Sequence, residues 1–133
     1  LWRLEARGLL QCNRRGTYVL TTRGRNVLAR AQLYEAAAKK PRRWDGKWRI
    51  VSFDVWETRR GVRDELRATL HNLGFIKLQH SVWMYPYECE ELVALLRTQL
   101  RLSPALYYIV AERIDRDDAF RIHFGLPRKK YYG

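Results

Sequence analysis

The sequence predicts an α+β protein, and two observations lead to this class. Short stretches in which apolar residues alternate, typical of strands, are interspersed with longer stretches whose apolar residues recur every three or four positions, typical of helices. From residue 47 these elements follow the order strand, helix, strand, strand, helix, strand. That order is the ferredoxin-like arrangement, in which a single sheet carries both helices on one face.

The first 38 residues have a different pattern, which predicts a helix, a short hairpin and a second helix. The first ten residues are typical of the last turns of a helix. Two short strands are expected at 9–12 and 17–21, with the turn-forming segment Asn13–Gly16 at the hairpin tip. Thr22 is expected to cap the second helix, which must end near Pro41.

The segment Lys47–Val55 predicts the central strand of the sheet. Val51 and Phe53 share one face, whereas Ile50 and Ser52 share the other. Because both helices should cover the first face, the second is expected to stay open, with Trp48 among its apolar residues. An open apolar sheet face predicts a dimer interface.

The same periodicities place the other elements. Thr58 is expected to cap a helix that Gly74 ends, and Pro86 is expected in the first turn of a second helix. Further strands are predicted at Phe75–Leu78, Ser81–Tyr85 and Ala105–Ala111, with Phe120–Phe124 as a fifth strand at the sheet edge.

The positive charge is concentrated near the N-terminus. The net charge is +12, and residues 1–49 carry 13 of the 26 Lys and Arg residues but only three of the 14 acidic ones. This density predicts binding to a phosphate backbone, the alternatives being a solvated basic surface or an acidic membrane surface. The candidate DNA-binding residues are Arg3, Arg7, Arg14, Arg15, Arg23, Arg25, Lys39, Lys40, Arg42 and Arg43.

Several function classes lack support in the sequence. There is no apolar run long enough to span a membrane, and neither a glycine-rich phosphate loop nor a nucleophile elbow. Cys12 and Cys89 are isolated, which favours a reducing, cytoplasmic setting. The histidines, His71, His80 and His123, lack the spacing of metal ligands. The chain begins with Leu1, so we interpret it as a fragment.

Residues 1–33 resemble the end of a winged-helix DNA-binding domain. The resemblance rests on two sequence motifs. The first, at a helix end, is Leu1, Leu4, Glu5, Gly8 and Leu9, and the second, after the hairpin, is Leu20, Thr21 and Gly24. It implies that residues 1–38 are the C-terminal part of such a module and that Arg14 and Arg15 lie on the wing. The alternative is a hairpin that packs helices in a module without DNA binding.

Residues 44–112 resemble the central Cas2-like domain of PaaX-type transcriptional repressors. The resemblance rests on Trp44–Trp48, Ser52–Val55, Arg59–Arg60, Leu73–Phe75 and Leu78–Trp83. It implies a ferredoxin-like, Cas2-like dimerisation domain at 47–126. The composition of the flanking segments predicts a basic linker at 39–46 and a mobile basic tail at 127–133. The implied function is a homodimeric transcriptional regulator that binds double-stranded DNA in the cytoplasm of a bacterium or archaeon. An unidentified small-molecule effector is expected, and no cofactor is required.

Asp54 supports an alternative function. The same core is similar to the Cas2 subunit of CRISPR spacer acquisition, in which a strand-ending aspartate and its dimer mate hold Mg²⁺ for nuclease activity. By that resemblance Asp54 would be catalytic and a metal ligand, with Glu57 and Ser81 as neighbours. A third hypothesis is an RNA-cleaving toxin. Otherwise Asp54 caps the following helix or is a solvated strand end. The N-terminal wing favours the regulator.

Overall fold

The computed structural model describes residues 1–128, which form five helices and six strands. The helices are α1 (Trp2–Ala6), α2 (Thr22–Ala38), α3 (Arg60–Asn72), α4 (Glu90–Leu100) and α5 (Asp118–Phe124). The strands are β1 (Leu10–Cys12), β2 (Tyr18–Leu20), β3 (Trp48–Phe53), β4 (Ile76–Gln79), β5 (Val82–Tyr85) and β6 (Leu106–Ala111).

The main sheet has four antiparallel strands in the order β4-β5-β3-β6. The first strand of the domain is therefore central, and Val51 pairs with Trp83 on one side and Tyr108 on the other. Two split βαβ units joined in this way give the ferredoxin-like fold. The predicted α+β, ferredoxin-like class is confirmed.

The core lies between the sheet and the helices α3 and α4. Val51 and Phe53 are buried on one face of β3, together with Leu66 and Leu70 of α3 and Leu96 of α4. Each such side chain stabilises the fold by about 1.5–3 kcal/mol. The four-residue spacing of the two α3 leucines explains why the helix turns that face inward.

Helix α2 also packs against this domain. Leu33 belongs to the same hydrophobic core, and the side-chain amide of Gln99 donates a 2.9 Å hydrogen bond to the carbonyl of Ala29. The N-terminal hairpin is thus joined to the sheet domain through a helix that contacts α4 directly.

Trp48 was expected on the open face of the sheet, and this expectation is wrong. It is fully buried, its indole N–H donates a 2.9 Å hydrogen bond to Asp117, and the rings of Phe120 and Phe124 lie against it. Helix α5 therefore covers this end of the sheet face. Ile50 and Ser52, further along β3, remain half-exposed as expected.

The turn before β3 is built around a buried arginine. Arg49 donates hydrogen bonds of 2.7 and 2.6 Å to the two carboxylate oxygens of Asp45 and a third, of 3.1 Å, to the carbonyl of Pro86. The bond from Arg49 lowers the pKa of Asp45 to about 2. Gly46 has a φ of +83°, a conformation that favours glycine, so the turn can place the carboxylate beneath the arginine.

Four predicted element positions are wrong. Phe120–Phe124 is helical, because only a helix places both phenylalanines on one face towards Trp48 while Ile122 points to solvent. Pro86 precedes the second core helix, which begins at Glu90, because the proline carbonyl satisfies Arg49.

Thr58 does not cap α3 and lies instead in the 3₁₀ turn Glu57–Arg59, which is held where Arg59 donates hydrogen bonds to the carbonyls of Leu100 and Arg101. The cap of α2 is Thr21 rather than Thr22, because the Thr21 hydroxyl accepts a hydrogen bond from the N–H of Gly24. Within the predicted basic tail, residues 129–133 lie outside the described part of the chain.

Candidate nucleic-acid interface

The hairpin tip is held by one asparagine. The side-chain oxygen of Asn13 accepts hydrogen bonds from the N–H groups of Arg15 and Thr17, at 3.0 and 2.9 Å. Gly16 closes the turn with a φ of +77°. Because the turn satisfies its own backbone in this way, the side chains of Arg14 and Arg15 remain exposed at the tip.

A tight contact fixes the hairpin on the start of α2. The hydroxyl of Thr21 donates to the carbonyl of Gly8, and its backbone N–H donates to the carbonyl of Leu9. Gly24 lies so close that a Cβ atom there would be 2.1 Å from the Leu9 oxygen. This contact explains the motif formed by Leu20, Thr21 and Gly24, since glycine is required where the hairpin backbone crosses the helix.

All ten predicted DNA-binding residues are exposed. Some of them already have partners: Arg25 donates to the carbonyl of Leu20 and the hydroxyl of Thr22, and Lys39 forms a 3.4 Å ion pair with Glu91. Arg3 lies over the ring of Trp2. The charged groups of the other seven have no hydrogen-bond or ion-pair partner within residues 1–128. These seven are Arg7, Arg14, Arg15, Arg23, Lys40, Arg42 and Arg43.

Asp54 lies directly after β3, and its side chain is exposed. Its backbone N–H donates a 2.9 Å hydrogen bond to the carbonyl of Ala105, which ties the strand end to β6. The carboxylate of Glu57 forms a 3.2 Å ion pair with the guanidinium group of Arg63. In the part of the chain that the structure describes, no three His, Cys, Asp or Glu side chains come together as a metal site. The described residues of one chain therefore do not assemble a Mg²⁺ ligand set around Asp54.

The sheet face near Asp54 carries exposed apolar side chains. Tyr107 and Ile109 of β6 pair with Ser52 and Ile50, so they share the open face, and they are 66% and 44% exposed. Trp56, two residues after Asp54, is 77% exposed. Tyr107 and Ile109 define an apolar patch on the open face, and Trp56 lies just beyond the end of β3.

The structure also brings together residues that sequence reasoning kept apart. His71, His80 and His123 come from three different elements and line one cleft with Arg67 and Lys77. No sequence spacing indicates this cluster, because its members are separated by nine and 43 positions along the chain. The grouping exists only because α5 folds back towards β4.

A comparison with protein-family models agrees with this fold. Residues 41–122 match the family model described as the PaaX protein central Cas2-like domain. The match covers more than half of the chain, so this chain belongs to the PaaX family through its Cas2-like domain. The predicted family resemblance is confirmed, whereas residues 1–40, with the hairpin, lie outside the match.

Among solved structures, the chain is similar to the uncharacterized protein Rv0674 from Mycobacterium tuberculosis, with 21% sequence identity and a TM-score of 0.49. The alignment covers 92% of this chain and 48% of that one, so the chain spans about half the length of this neighbour. A comparison with curated proteins found no match. Within residues 1–128, no helix is both long and apolar enough to cross a membrane.

Proposed function

We propose that this chain is part of a DNA-binding transcriptional regulator of the PaaX type, with the Cas2-like domain as its dimerisation scaffold. Membership of the PaaX family supports the class. The observation that carries DNA binding is the hairpin, whose tip presents Arg14 and Arg15 without any partner among the described residues. Such a regulator would act in the cytoplasm of a bacterium or archaeon and respond to a small-molecule effector.

The hairpin suits contact with a phosphate backbone. Asn13 and Gly16 keep the tip short and ordered, so two guanidinium groups are presented on a narrow projection. Arginines in this position bind phosphates or enter the minor groove, while sequence is read elsewhere. The wing therefore contributes affinity and orientation rather than base choice.

We propose a second copy of this chain as the partner of the apolar patch formed by Tyr107 and Ile109. Packing two such faces together about a two-fold axis would remove these side chains from water. The regulator hypothesis expects the two wings of that dimer to contact one duplex. The operator of such a dimer would be palindromic.

Sedimentation velocity tests the dimer. Ile109→Lys, on the open face, is expected to shift the protein to monomer. Val110→Lys is the matched control, because the neighbouring side chain is 50% exposed but points to the other face. If both variants sediment as the wild type does, the patch is not the interface.

The experiment that tests DNA binding measures affinity for a duplex by fluorescence anisotropy at several salt concentrations. The double variant Arg14→Gln/Arg15→Gln is expected to bind more weakly. The slope of log K against log salt should fall by about two, because about 0.9 counterions are released for each phosphate neutralised.

The control is Arg113→Gln/Arg116→Gln, which removes the same charge from two exposed positions on the loop between β6 and α5. It should leave the slope close to that of the wild type. Equal slopes for the two double variants would mean that net charge alone attracts DNA and that the hairpin is not a wing.

Nuclease activity through Asp54 is the second candidate. It is favoured by one observation: the Asp54 carboxylate is exposed and unpaired, within the described residues, beside the proposed dimer face. In a dimer, Asp54 of both copies would supply the oxygen ligands for Mg²⁺ that one chain lacks. Cleavage of labelled DNA and RNA with Mg²⁺ or Mn²⁺, compared between wild type and Asp54→Asn, tests it. If the wild type cleaves and the variant does not, nuclease activity rather than transcriptional regulation is the main function.

A further inference from the structure

A cleft of about 730 Å³ lies between α3, the β4–β5 hairpin and α5. Its volume is within the range of small-molecule sites, which is about 300–1,000 Å³. Arg67 and His71 line it from α3, Lys77 from β4, His80 from the turn between β4 and β5, and His123 from α5.

The charge of this cleft has a single sign. Among the described residues that line it, Arg67 and Lys77 are cationic, the three histidines are neutral or cationic, and none is acidic. Neither Arg67 nor Lys77 forms an ion pair within residues 1–128. The cleft is therefore complementary to an anion.

Two buried donors in its wall have no hydrogen-bond partner. The Nε–H group of Arg67 and the indole N–H of Trp83 are both buried and unsatisfied, and Trp83 as a whole is only 6% exposed. A buried donor without an acceptor costs about 1–3 kcal/mol. Both donors belong to residues that line the cleft, so unsatisfied hydrogen-bond donors lie directly behind its surface.

The rest of the wall is apolar. Phe75 and Trp83 are buried side chains whose surfaces contribute to the cleft, and Ile76 and Ala68 complete it. An inorganic ion would leave this surface in contact with water, whereas an apolar ring or chain would cover it. A guanidinium group and apolar side chains in the same wall suit a molecule with one anionic and one apolar end.

We propose that the cleft binds a small organic oxyanion, in which a carboxylate or phosphate ester contacts Arg67 and Lys77 and an apolar body lies against Phe75, Ile76 and Trp83. The occupant is a small molecule rather than a nucleic acid, because the oxyanion sites are next to apolar walls and the cleft has the volume of a metabolite.

The position of α3 links this cleft to the hairpin. Ala68 lines both the cleft and a neighbouring cavity of about 430 Å³, which α2 lines with Arg30 and Tyr34. Helix α4 contacts both α3 and α2, so a ligand that shifts α3 would act through α4 on the helix that carries the hairpin. This regulatory role rests on the proposed DNA-binding function, but ligand binding itself does not.

Calorimetric titration with 2-naphthyl phosphate, 2-naphthoate and neutral 2-naphthalenemethanol tests the site. At least one anion should bind at least tenfold more tightly than the alcohol, and the stronger anion identifies the head group. In parallel NMR titrations, the imidazole signals of His71, His80 and His123 should shift. Absence of binding at millimolar anion, equal affinity for the alcohol, or unchanged imidazole signals would each overturn the proposal.

Variants locate the site. Arg67→Gln and Lys77→Gln should each weaken anion binding at least tenfold, while Arg60→Gln, exposed on the same helix but outside the cleft, should bind normally. Lys77 is exposed, so its variant remains informative if Arg67→Gln does not fold. Normal binding by Lys77→Gln and by any folded Arg67→Gln would refute the site.

Measuring DNA affinity with and without the bound anion separates the two proposals. Anion binding without any DNA binding would leave the cleft in place and refute the regulator. DNA binding without anion binding would refute only the cleft.

Discussion

Asp45→Asn tests whether the turn before β3 is stabilised by charge. In the structure the side chain of Arg49 is 6% exposed and that of Asp45 is 49% exposed, with two hydrogen bonds of 2.6 and 2.7 Å between them. The variant keeps the size of the side chain but removes its charge, so a buried guanidinium group loses its counter-ion.

The magnitude follows from the pKa of Asp45. Its lowering from 3.8 to about 2, caused chiefly by the hydrogen bond from Arg49, corresponds to about 2.4 kcal/mol at neutral pH. Solvent reaches about half of the carboxylate and screens the pair, which reduces the expected loss to about 1–2 kcal/mol.

The pH dependence has a definite sign. Because the folded-state pKa is below the unfolded value, the stabilisation is complete above about pH 5 and is lost as the pH falls through 3.8 towards 2. Roughly half of it should remain at pH 3. The penalty of Asp45→Asn should therefore be about half as large at pH 3 as at pH 7.

Urea denaturation followed by tryptophan fluorescence at both pH values measures this penalty. Asp64→Asn is the control, since Asp64 is exposed on α3 and has no partner within the described residues. A penalty for Asp45→Asn that is the same at pH 3 and pH 7 would refute the electrostatic reasoning and indicate that only the shape of the side chain matters.

Two further predictions concern the hairpin and the thiols. Gly24→Ala should destabilise the N-terminal segment by at least about 2 kcal/mol and speed its proteolysis, because the new Cβ would overlap the carbonyl of Leu9, whereas Gly61→Ala, where nothing lies within 4 Å, should stabilise α3 by about 0.5–1 kcal/mol. Equal effects of the two substitutions would contradict the close contact. Burial raises the pKa of the Cys89 thiol to about 12, so a disulfide reagent at pH 8 should label only the exposed Cys12 in the native protein and both thiols in urea. Rapid labelling of two thiols in the native protein would show that Cys89 is accessible.

The order of elements could be predicted from the sequence because it depends on local patterns. The alternation in β3 and the four-residue spacing in α3 are local patterns that a short window of sequence shows. Patterns of this kind, read along the chain, give the order of elements that defines the ferredoxin-like fold. The errors fall where two patterns coincide. Phe120, Ile122 and Phe124 alternate as in a strand, but their partner Trp48, 72 positions away from Phe120, selects the helix.

The candidate sites divide in the same way. The sequence by itself indicated the basic hairpin tip and the strand-ending Asp54, because a turn and a strand end are local features. Only the tertiary structure decided which basic side chains stay unpaired, since the partner of Lys39 is Glu91, 52 positions away. It alone also decided that Arg67, Lys77 and three separate histidines line one cleft, because those contacts arise from the packing of α3, β4 and α5 and leave no periodic trace in the chain.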